Sequence, residues 1–402
     1  MFRNALCRRT VAQPRRLGDR ITASKRRIQL TALIEKSING LLFVVASSSV
    51  LAVFFIFVFI IREAIPFFRE QGLAEFLTST NWFPSNITPQ FGALALFFGS
   101  AMVTLGATLF AAPLGLIIAL FLSDVVPFSV RQVIKPVVEL LAAIPSVVYG
   151  FFALVVFAPL LQSHGGALLA IGAALIVIPV GIILSTVGAD VIANWLPESR
   201  GKASRIVLLV VFLGVTAILT FIMVRTLMGV EVVSGTNALN VAIILGIMAV
   251  PTVVSVSEDS LTAVGRTLRE ASYSLGATRV ETLLKVVVPS AKSGILAAVV
   301  LGVMRASGET MVVWMASGNA SKIPSPFYNF LEPVRTVTAT IAGEMGEADQ
   351  VTGASRYSVL FALAAVLLLF VFLCNLVSEW SAQHVGHRTS SRRITKRRHR
   401  KC

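Results

Sequence analysis

The chain has 402 residues, of which 55% are hydrophobic and only 14% are charged, and its mean hydropathy is +0.82. This composition excludes an ordinary soluble domain, in which charged residues make up about a quarter of the chain, and places the protein among polytopic membrane proteins. The net charge of +15 is concentrated near the two ends of the chain, so it describes the terminal segments more than the apolar part between them.

Several apolar runs are long enough to cross a bilayer, which takes about 20 residues as a helix. We predict eight spans, and therefore an all-α fold, a polytopic transmembrane helical bundle. The second and third spans are longer than a crossing needs, so they are expected to tilt or kink, with Pro113 and Pro145 as candidate kink points. The predicted spans are 41–62, 93–123, 136–162, 166–187, 206–229, 238–257, 292–317 and 356–379.

The two ends of the chain are basic. Residues 1–40 are predicted to form one basic tail, 41–90 the first span with an outer loop, 91–380 the main transmembrane domain, and 381–402 a second basic tail. Because Lys and Arg concentrate on the cytoplasmic side of membrane proteins, both tails are predicted to be cytoplasmic, in agreement with an even number of spans. The tails lack interleaved aromatic residues, so attraction to membrane lipid is favoured over binding to nucleic acid.

The third span carries a carboxylate close to its start. Glu139 follows Lys135 by four residues, and two interpretations remain open: it reaches back to the cytoplasmic surface and pairs with Lys135, or it lines a transport path. Further along, Pro145 frees a backbone carbonyl, which a hydroxyl side chain or a water molecule can satisfy beside a cavity. We therefore retain Glu139 as a candidate path residue.

The segment 270–289, with the sequence EASYSLGATRVETLLKVVVP, brings charge between two long apolar runs. Gly276 permits a sharp change of direction between two short helices. Glu270, followed by Ala271, is predicted at the start of the first helix, where the helix dipole favours an anion, and Pro289 is predicted to end the second. The spacing predicts a helix–glycine–helix element in a cytoplasmic loop, the plainer alternative being an ordinary loop with helical content.

The next span contains the sequence RASGET, which places Arg305 four residues before Glu309. On a continuous helix this spacing puts both side chains on one face. Counted from Lys292, Arg305 falls near the middle of the bilayer, where a charge is costly unless it faces protein or water. Either the pair locks helix packing, or Arg305 offers its planar fork of donors to a passing oxyanion while Glu309 keeps the anion from binding permanently.

The sequence lacks the motifs of a self-sufficient enzyme. There is no G-x-x-x-x-G-K-[ST] phosphate loop, no G-x-G-x-x-G after a strand, no H-E-x-x-H and no plausible nucleophile triad. The three cysteines, Cys7, Cys374 and Cys402, fit no metal-ligand spacing. We therefore expect no metal or other cofactor in this chain and no ATP hydrolysis by the chain alone.

The segment 270–289 resembles the EAA loop of ABC-importer permeases, the element that docks into a cytoplasmic ATPase. The departures are mild, such as Ser272 in place of a second alanine. The resemblance implies the type I importer (MetI-like) core. It also implies that four residues couple the chain to the ATPase: Glu270, Ala271, Gly276 and Pro289.

Three other stretches resemble the PstC family of phosphate-specific permease subunits. The resemblance extends over roughly residues 90–162 and 238–380, whereas the head and the stretch 163–237 do not follow the family pattern. In that family the arginine and the glutamate of the RASGET-like segment are tied to phosphate translocation, which implies this role for Arg305 and Glu309. The stretches are ELLAAIPSVVYGFFALVVFAPL (139–160), RASGETMVV (305–313) and VRTVTATIAGEMGEA (334–348).

The same resemblance implies a machine of several subunits in the cell inner membrane. A homologous permease subunit (PstA-like) would pair with this chain, two ATPase subunits (PstB-like) would bind ATP and Mg, and an external phosphate-binding protein (PstS-like) would deliver phosphate. Alternating access driven by ATP would then move the substrate inward.

Other functions remain open on the sequence. The chain could serve another tetrahedral oxyanion such as sulfate or molybdate, or it could be a secondary carrier or channel that needs no ATPase. A signalling membrane subunit that senses phosphate occupancy is a further alternative. The EAA-like spacing argues against the carrier.

Overall fold

The computed structural model describes residues 25–84, 86–193, 201–346 and 355–398. Most of the predicted basic head, Cys7 and Cys402 lie outside these residues. The described part of the chain is almost entirely helical, as predicted, with one small hairpin of β1 (Trp82–Phe83) and β2 (Gln90–Phe91) paired antiparallel.

The first half of the chain runs from α1 (Lys25–Gln71) to α7. Its other helices are α2 (Leu73–Thr78), α3 (Leu94–Leu120), α4 (Phe128–Ala142), α5 (Ser146–Phe152), α6 (Ala158–Ala193) and α7 (Gly201–Met228). Five-residue π-helical turns follow α3 (Phe121–Val125) and α5 (Ala153–Phe157).

The second half begins with the long α8 (Ala238–Thr262) and continues through shorter helices. These are α9 (Arg266–Ser274), α10 (Arg279–Thr282), α11 (Val288–Ser290), α12 (Lys292–Ser307), α13 (Met311–Ala316), α14 (Val337–Met345) and α15 (Ser355–Arg398). A π-helical turn, Leu283–Val287, joins α10 to α11.

Among the described residues, six helices are long and apolar enough to cross a membrane. A seventh crossing results if the pair Arg279–Ser290 and Lys292–Ser307, bent by 71°, counts as one span. The predicted third and fourth spans share the stretch Ser146–Ala189, whose backbone is non-helical at His164 (φ −130°, ψ 22°).

The contacts of that stretch change direction at His164. Before it, the Asn240 side chain, at the start of α8, donates to the Ala153 carbonyl. After it, Gly166 lies against the last turn of α7, whereas Gly188 lies against Phe212, which is closer to the start of α7. The part of α6 after His164 therefore runs antiparallel to α7, away from the start of α8. The turn predicted between spans three and four therefore coincides with this kink, and about eight crossings describe the bundle.

The core that positions the site packs α3 against α8. Small residues let the two backbones approach: a Cβ built on Gly115 would come within 2.8 Å of the Val253 side chain. Ile244, Leu245 and Met248 of α8 are fully buried in this core. In lipid, close packing of this kind replaces the hydrophobic effect as the main source of helix association.

The two ends of the bundle differ in what covers them. At the start of α8, the Ala238 and Leu239 amides donate to carbonyls of Glu332 and Phe330, so the loop 318–334 lies there, and we call this the far end. The opposite end carries residues 263–291. An aromatic cluster that includes Phe67, Phe76, Trp82 and Phe91 in edge-to-face contact packs beside α3 and α15.

Candidate functional site

Arg305 and Glu309 do not share a continuous helix, contrary to the prediction. Helix α12 ends at Ser307, and α13 begins only at Met311. The chain leaves the helix at Gly308, because glycine is the poorest helix former apart from proline and follows two small residues. Arg305 therefore occupies the last turn of α12, whereas Glu309 lies in the break, where its backbone carbonyl accepts a 2.8 Å hydrogen bond from the Thr338 hydroxyl.

A second break faces the first. Helix α4 ends at Ala142 and α5 begins at Ser146, with Pro145 between them, at the predicted kink point. The carbonyls freed there are satisfied by side chains: Leu141 accepts from the Tyr149 hydroxyl at 3.0 Å, and Ala142 accepts from Arg305 Nη2 at 3.2 Å. The expectation that Pro145 frees a backbone carbonyl is confirmed, although the donors are a phenol and a guanidinium.

Arg305 is thus held by a backbone dipole and not by a carboxylate. No ion pair within 4.0 Å joins it to Glu309 in the described part of the chain, although the two charges attract each other over a longer distance, and the Ser146 hydroxyl also interacts with the Glu309 carboxylate. The guanidinium is half-buried, and its Nε has no hydrogen-bond partner among the described residues. A planar cation with unused donors between two broken helices is suited to an oxyanion, which can take two N–H groups at once.

Hydroxyl groups line a narrow cleft beside Glu309. The cleft has a volume of only about 10 Å³, room for about one water molecule, and Ser100 and Thr104 of α3 form one wall. Thr336 and Thr338, whose hydroxyls lie 3.1 Å apart, form another. The break at Gly308 therefore opens onto a polar surface inside an otherwise apolar bundle.

Glu139 makes no contact with this cluster in the described part of the chain. Its side chain is exposed on α4, and no ion pair or hydrogen bond holds it within the described residues. The expected partner, Lys135, pairs instead with Glu258 at 2.8 Å and Asp259 at 2.6 Å. The pairing of Glu139 with Lys135 was wrong, because a neighbouring helix offers Lys135 a buried carboxylate. A path role for Glu139 remains a prediction.

The burial of the Glu258 carboxylate and its ion pairs could not be read from the sequence. Its side chain is only 2% exposed, and it forms ion pairs with Arg131 and Lys135 of α4 while accepting from the Thr262 hydroxyl. These contacts fasten the start of the third span to the end of α8.

Glu258→Gln is expected to destabilise the protein by about 2–3 kcal/mol. This is less than for a fully buried ion pair, because Arg131 and Lys135 still reach solvent. Asp259→Asn is the matched control: Asp259 is 64% exposed, so its loss is expected to cost less than about 1 kcal/mol. Unfolding of the two variants in a detergent titration measures the difference, and equal midpoints would contradict a structural role for Glu258.

The segment 270–289 is a helix–glycine–helix element, as predicted. Gly276, between α9 and α10, has φ +81°, a left-handed conformation that side chains disfavour. One detail was wrong: α9 begins at Arg266, because Gly265 (φ +77°) precedes it, so Glu270 lies in mid-helix and not at the helix start. The helix runs one residue past Pro289, and the chain then bends at Ala291.

The four residues predicted to couple the chain to the ATPase all lie on the surface of the protein. Glu270, Ala271, Gly276 and Pro289 are exposed, and so are the apolar side chains of Leu275 (89%) and Val280 (64%) around the bend. Leu275 and Val280 therefore place apolar side chains on the exposed surface of a charged loop.

Buried polar contacts fix the shape of this loop. Ser272, the departure from the family pattern, is buried and lies 2.9 Å from the Thr282 hydroxyl, so it joins the two helices. Thr278 and Glu281 form a capping box at the start of α10, and the Thr278 backbone amide, donating to the carboxylate, keeps the pKa of Glu281 below its usual value. The loop is therefore built as a stiff unit.

An arginine fastens this unit to the transmembrane core. Arg269 donates from Nε and Nη2 to the two carboxylate oxygens of Asp124, at 2.9 and 3.3 Å, and from Nη2 to the Leu261 carbonyl. Asp124 lies in the π-helical turn that ends α3, so the loop and α3 are directly linked. The described residues contain no cluster of three His, Cys, Asp or Glu able to hold a metal ion.

Comparison with known proteins places the sequence in context. Residues 111–391 match the family described as "Binding-protein-dependent transport system inner membrane component". The chain is 31% identical over 369 residues to the probable ABC transporter permease protein YqgH of Bacillus subtilis, covering 90% of this chain and 95% of that protein.

Two phosphate transport system permease proteins named PstC are also similar. The chain is 33% identical over 318 residues to that of Mesorhizobium japonicum, covering 79% of this chain and 80% of the relative. It is 32% identical over 329 residues to that of Haemophilus influenzae, covering 80% and 86%.

Proposed function

Because the chain belongs to the family of binding-protein-dependent transport system inner membrane components, we propose that it is the translocating subunit of an ATP-driven phosphate importer. The family makes it a membrane permease subunit of an ABC transporter and not an enzyme, and it works with an ATPase and a binding protein. Phosphate as the substrate is favoured by the relatives that are named phosphate permeases.

Arg305 is the observation that carries the proposal. Its guanidinium sits where two helix breaks meet, one at Pro145 and one at Gly308, and it is held by a single carbonyl bond. Unwound segments within a transmembrane bundle are tolerated where they line a cavity, and their free polar groups bind the solute. Arginine supplies the bidentate geometry that a tetrahedral oxyanion requires.

The role that we propose for Glu309 is not that of a fixed ion-pair partner of Arg305. Because it forms no short ion pair with Arg305 among the described residues, it leaves the guanidinium available to a solute. Its carboxylate repels the anion nearby and so weakens binding enough for release, which conduction requires. Glu139, exposed on α4, is proposed to face the same path in the assembled transporter.

The loop 270–289 is the proposed receptor for the ATPase. Two PstB-like ATPase subunits would bind ATP and Mg and dock on the exposed residues around Gly276. A PstA-like permease subunit would complete the transmembrane pathway. This arrangement makes the loop end of the bundle cytoplasmic, with both termini on that side, and the far end external, where a PstS-like protein would release phosphate.

Uptake by the whole transporter tests the substrate. The chain and its partner subunits are expressed in cells that lack other phosphate importers, and uptake of labelled phosphate is measured with unlabelled phosphate, sulfate or molybdate as competitors. Only phosphate is expected to compete at equimolar concentration. Competition by sulfate or molybdate would assign a different oxyanion, and gradient-driven flux through the chain alone in liposomes would identify a secondary carrier.

A further inference from the structure

A second pocket lies at the far end, away from the cleft beside Glu309. It is a cavity of about 380 Å³, open to the surface, between β1 and the loop after it, α13 and the residue Asn319 beyond it, α14 and the segment that leads into it, and the start of α15. Two arginines, Arg335 and Arg356, and two tryptophans, Trp82 and Trp314, contribute to its wall together with one carboxylate, Glu344. An arginine-rich wall at a solvent-facing cavity suits an anion.

Glu344 holds Arg335 in position without using all of its donors. One carboxylate oxygen, Oε1, accepts from Trp82 Nε1 at 3.0 Å and lies 3.2 Å from Arg335 Nη2. The Glu344 side chain is only 8% exposed, so the anchor is rigid, whereas Arg335 is 18% exposed and its Nε has no hydrogen-bond partner among the described residues. That Nε is buried from solvent, so the part of the Arg335 side chain that lines the pocket is what a ligand can reach.

Donors converge on the space above Gly343. A Cβ at this position would lie 3.1 Å from Trp314 Nε1 and 3.6 Å from Arg335 Nη2. An indole N–H and a guanidinium therefore border one small gap that glycine leaves empty. Two donors that approach one point in this way can hold neighbouring oxygens of a single anion.

The far-end pocket and the cleft beside Glu309 are lined by residues that are neighbours along the chain. Arg335 lines the pocket, and the next residue, Thr336, lines the cleft beside Glu309. Trp314 of the pocket is likewise adjacent to Val313 of the cleft. The two linings therefore adjoin at Arg335–Thr336 and at Val313–Trp314, which is the order of residues that a path from the far end towards Glu309 would follow.

We propose that the far-end pocket is a second phosphate site, in which Arg335 and Trp314 receive the anion before it reaches Arg305 and Glu344 limits how tightly it is held. This inference rests on the proposed function, since it takes phosphate as the substrate. It assigns a specific task to residues outside the RASGET segment.

Binding of labelled phosphate to the whole complex tests the site. The complex carries Arg305→Gln to remove the central site, sits in nanodiscs of zwitterionic lipid, and is held with ATP on hydrolysis-deficient ATPase subunits without the capture protein. Saturable binding is expected to persist. A further Arg335→Gln change is expected to raise the Kd about tenfold or more, because a charge-assisted contact is lost.

Glu344→Gln separates a binding role from a structural one. Removing the counter-charge is expected to lower the Kd about threefold, the opposite direction from Arg335→Gln, because Arg335 then attracts the anion without competition. Lys322→Gln is the matched control: Lys322 is an exposed cation of the far-end loop, paired with Glu332 at 2.8 Å, and its loss is expected to leave the Kd unchanged.

Several results would overturn the site. These are wild-type affinity in Arg335→Gln, or a loss of affinity in both Arg335→Gln and Glu344→Gln, which a purely structural pair predicts. Displacement of labelled phosphate by anionic phospholipid in the disc would assign the pocket to a lipid headgroup. If Arg335→Gln fails to assemble, Gly343→Val fills the gap without removing charge, and the same loss of affinity is expected.

The parent proposal fails in a distinguishable way. If the unmodified transporter, supplied with its capture protein, does not import phosphate, the proposed function is wrong. If it imports phosphate while Arg335→Gln binds and imports normally, only the far-end site is wrong.

Discussion

Arg305→Gln is expected to reduce phosphate uptake at least about 100-fold while the protein still inserts and assembles. Glutamine keeps the aliphatic stem and a polar tip, although its amide ends two bonds short of Nη2 and so gives up the bond to the Ala142 carbonyl. What is lost is the charge and the fork of donors, which together account for most of the attraction to an oxyanion. Uptake of labelled phosphate, corrected for the amount of assembled complex, measures the effect.

Three further variants test the donor geometry of Arg305, the role of the Glu309 carboxylate and the effect of losing an unrelated arginine. Arg305→Lys keeps the charge but not the planar fork, so it is expected to recover only a small part of the uptake. Glu309→Gln is expected to abolish uptake as well, because it removes the carboxylate that permits release. Arg225→Gln, which removes an exposed arginine from the last turn of α7, is the control and is expected to transport normally. Wild-type uptake in Arg305→Gln or Glu309→Gln would refute the path.

Gly276→Asp is expected to uncouple the transporter, lowering uptake about tenfold or more while the chain stays folded. There is room for the new side chain, because nothing lies within 4 Å of a Cβ at this position. The cost arises from the backbone, which at φ +81° is strained by about 1 kcal/mol for a residue other than glycine, and from a new charge on the docking surface.

Two companion variants distinguish these causes. Gly276→Asn has almost the same shape as Gly276→Asp without the charge and is expected to retain most of the coupling, whereas Gly276→Val tests the backbone alone. Co-purification of the ATPase and transport-linked ATP turnover are the measurements. Normal values of both in Gly276→Asp would count against docking at this loop.

The helical bundle could be predicted because its spans are long apolar runs bounded by charge. Pro145 marked one helix break correctly, since proline removes a backbone donor wherever it occurs. Gly308 did not mark the other, because an isolated glycine within an apolar stretch is compatible with a continuous helix. The start of α9 was misplaced for a related reason: Gly265 was not considered as a helix boundary.

The partners of the charged residues could not be read from the sequence. The Glu258 carboxylate meets Lys135 across 123 positions of the chain, and the Ala142 carbonyl meets Arg305 across 163. Such contacts depend on how helices pack, whereas sequence spacing suggests only neighbours within one helix. The same limit applies to Arg335 and Glu344, whose contact depends on how α14 packs and not on their spacing in the sequence.

Helix α3 is tied down at both of its ends. The Asp124–Arg269 ion pair fastens one end to the loop, and near the other end the Ser100 hydroxyl accepts a 2.9 Å hydrogen bond from the Val337 amide. With 27 residues at 1.5 Å each, α3 spans about 40 Å. We expect α3 to move as a rigid helix. When ATP binding or hydrolysis shifts the loop, the wall formed by Ser100 and Thr104 near the opposite end of α3 should then shift with it, so α3 alone can couple the two ends.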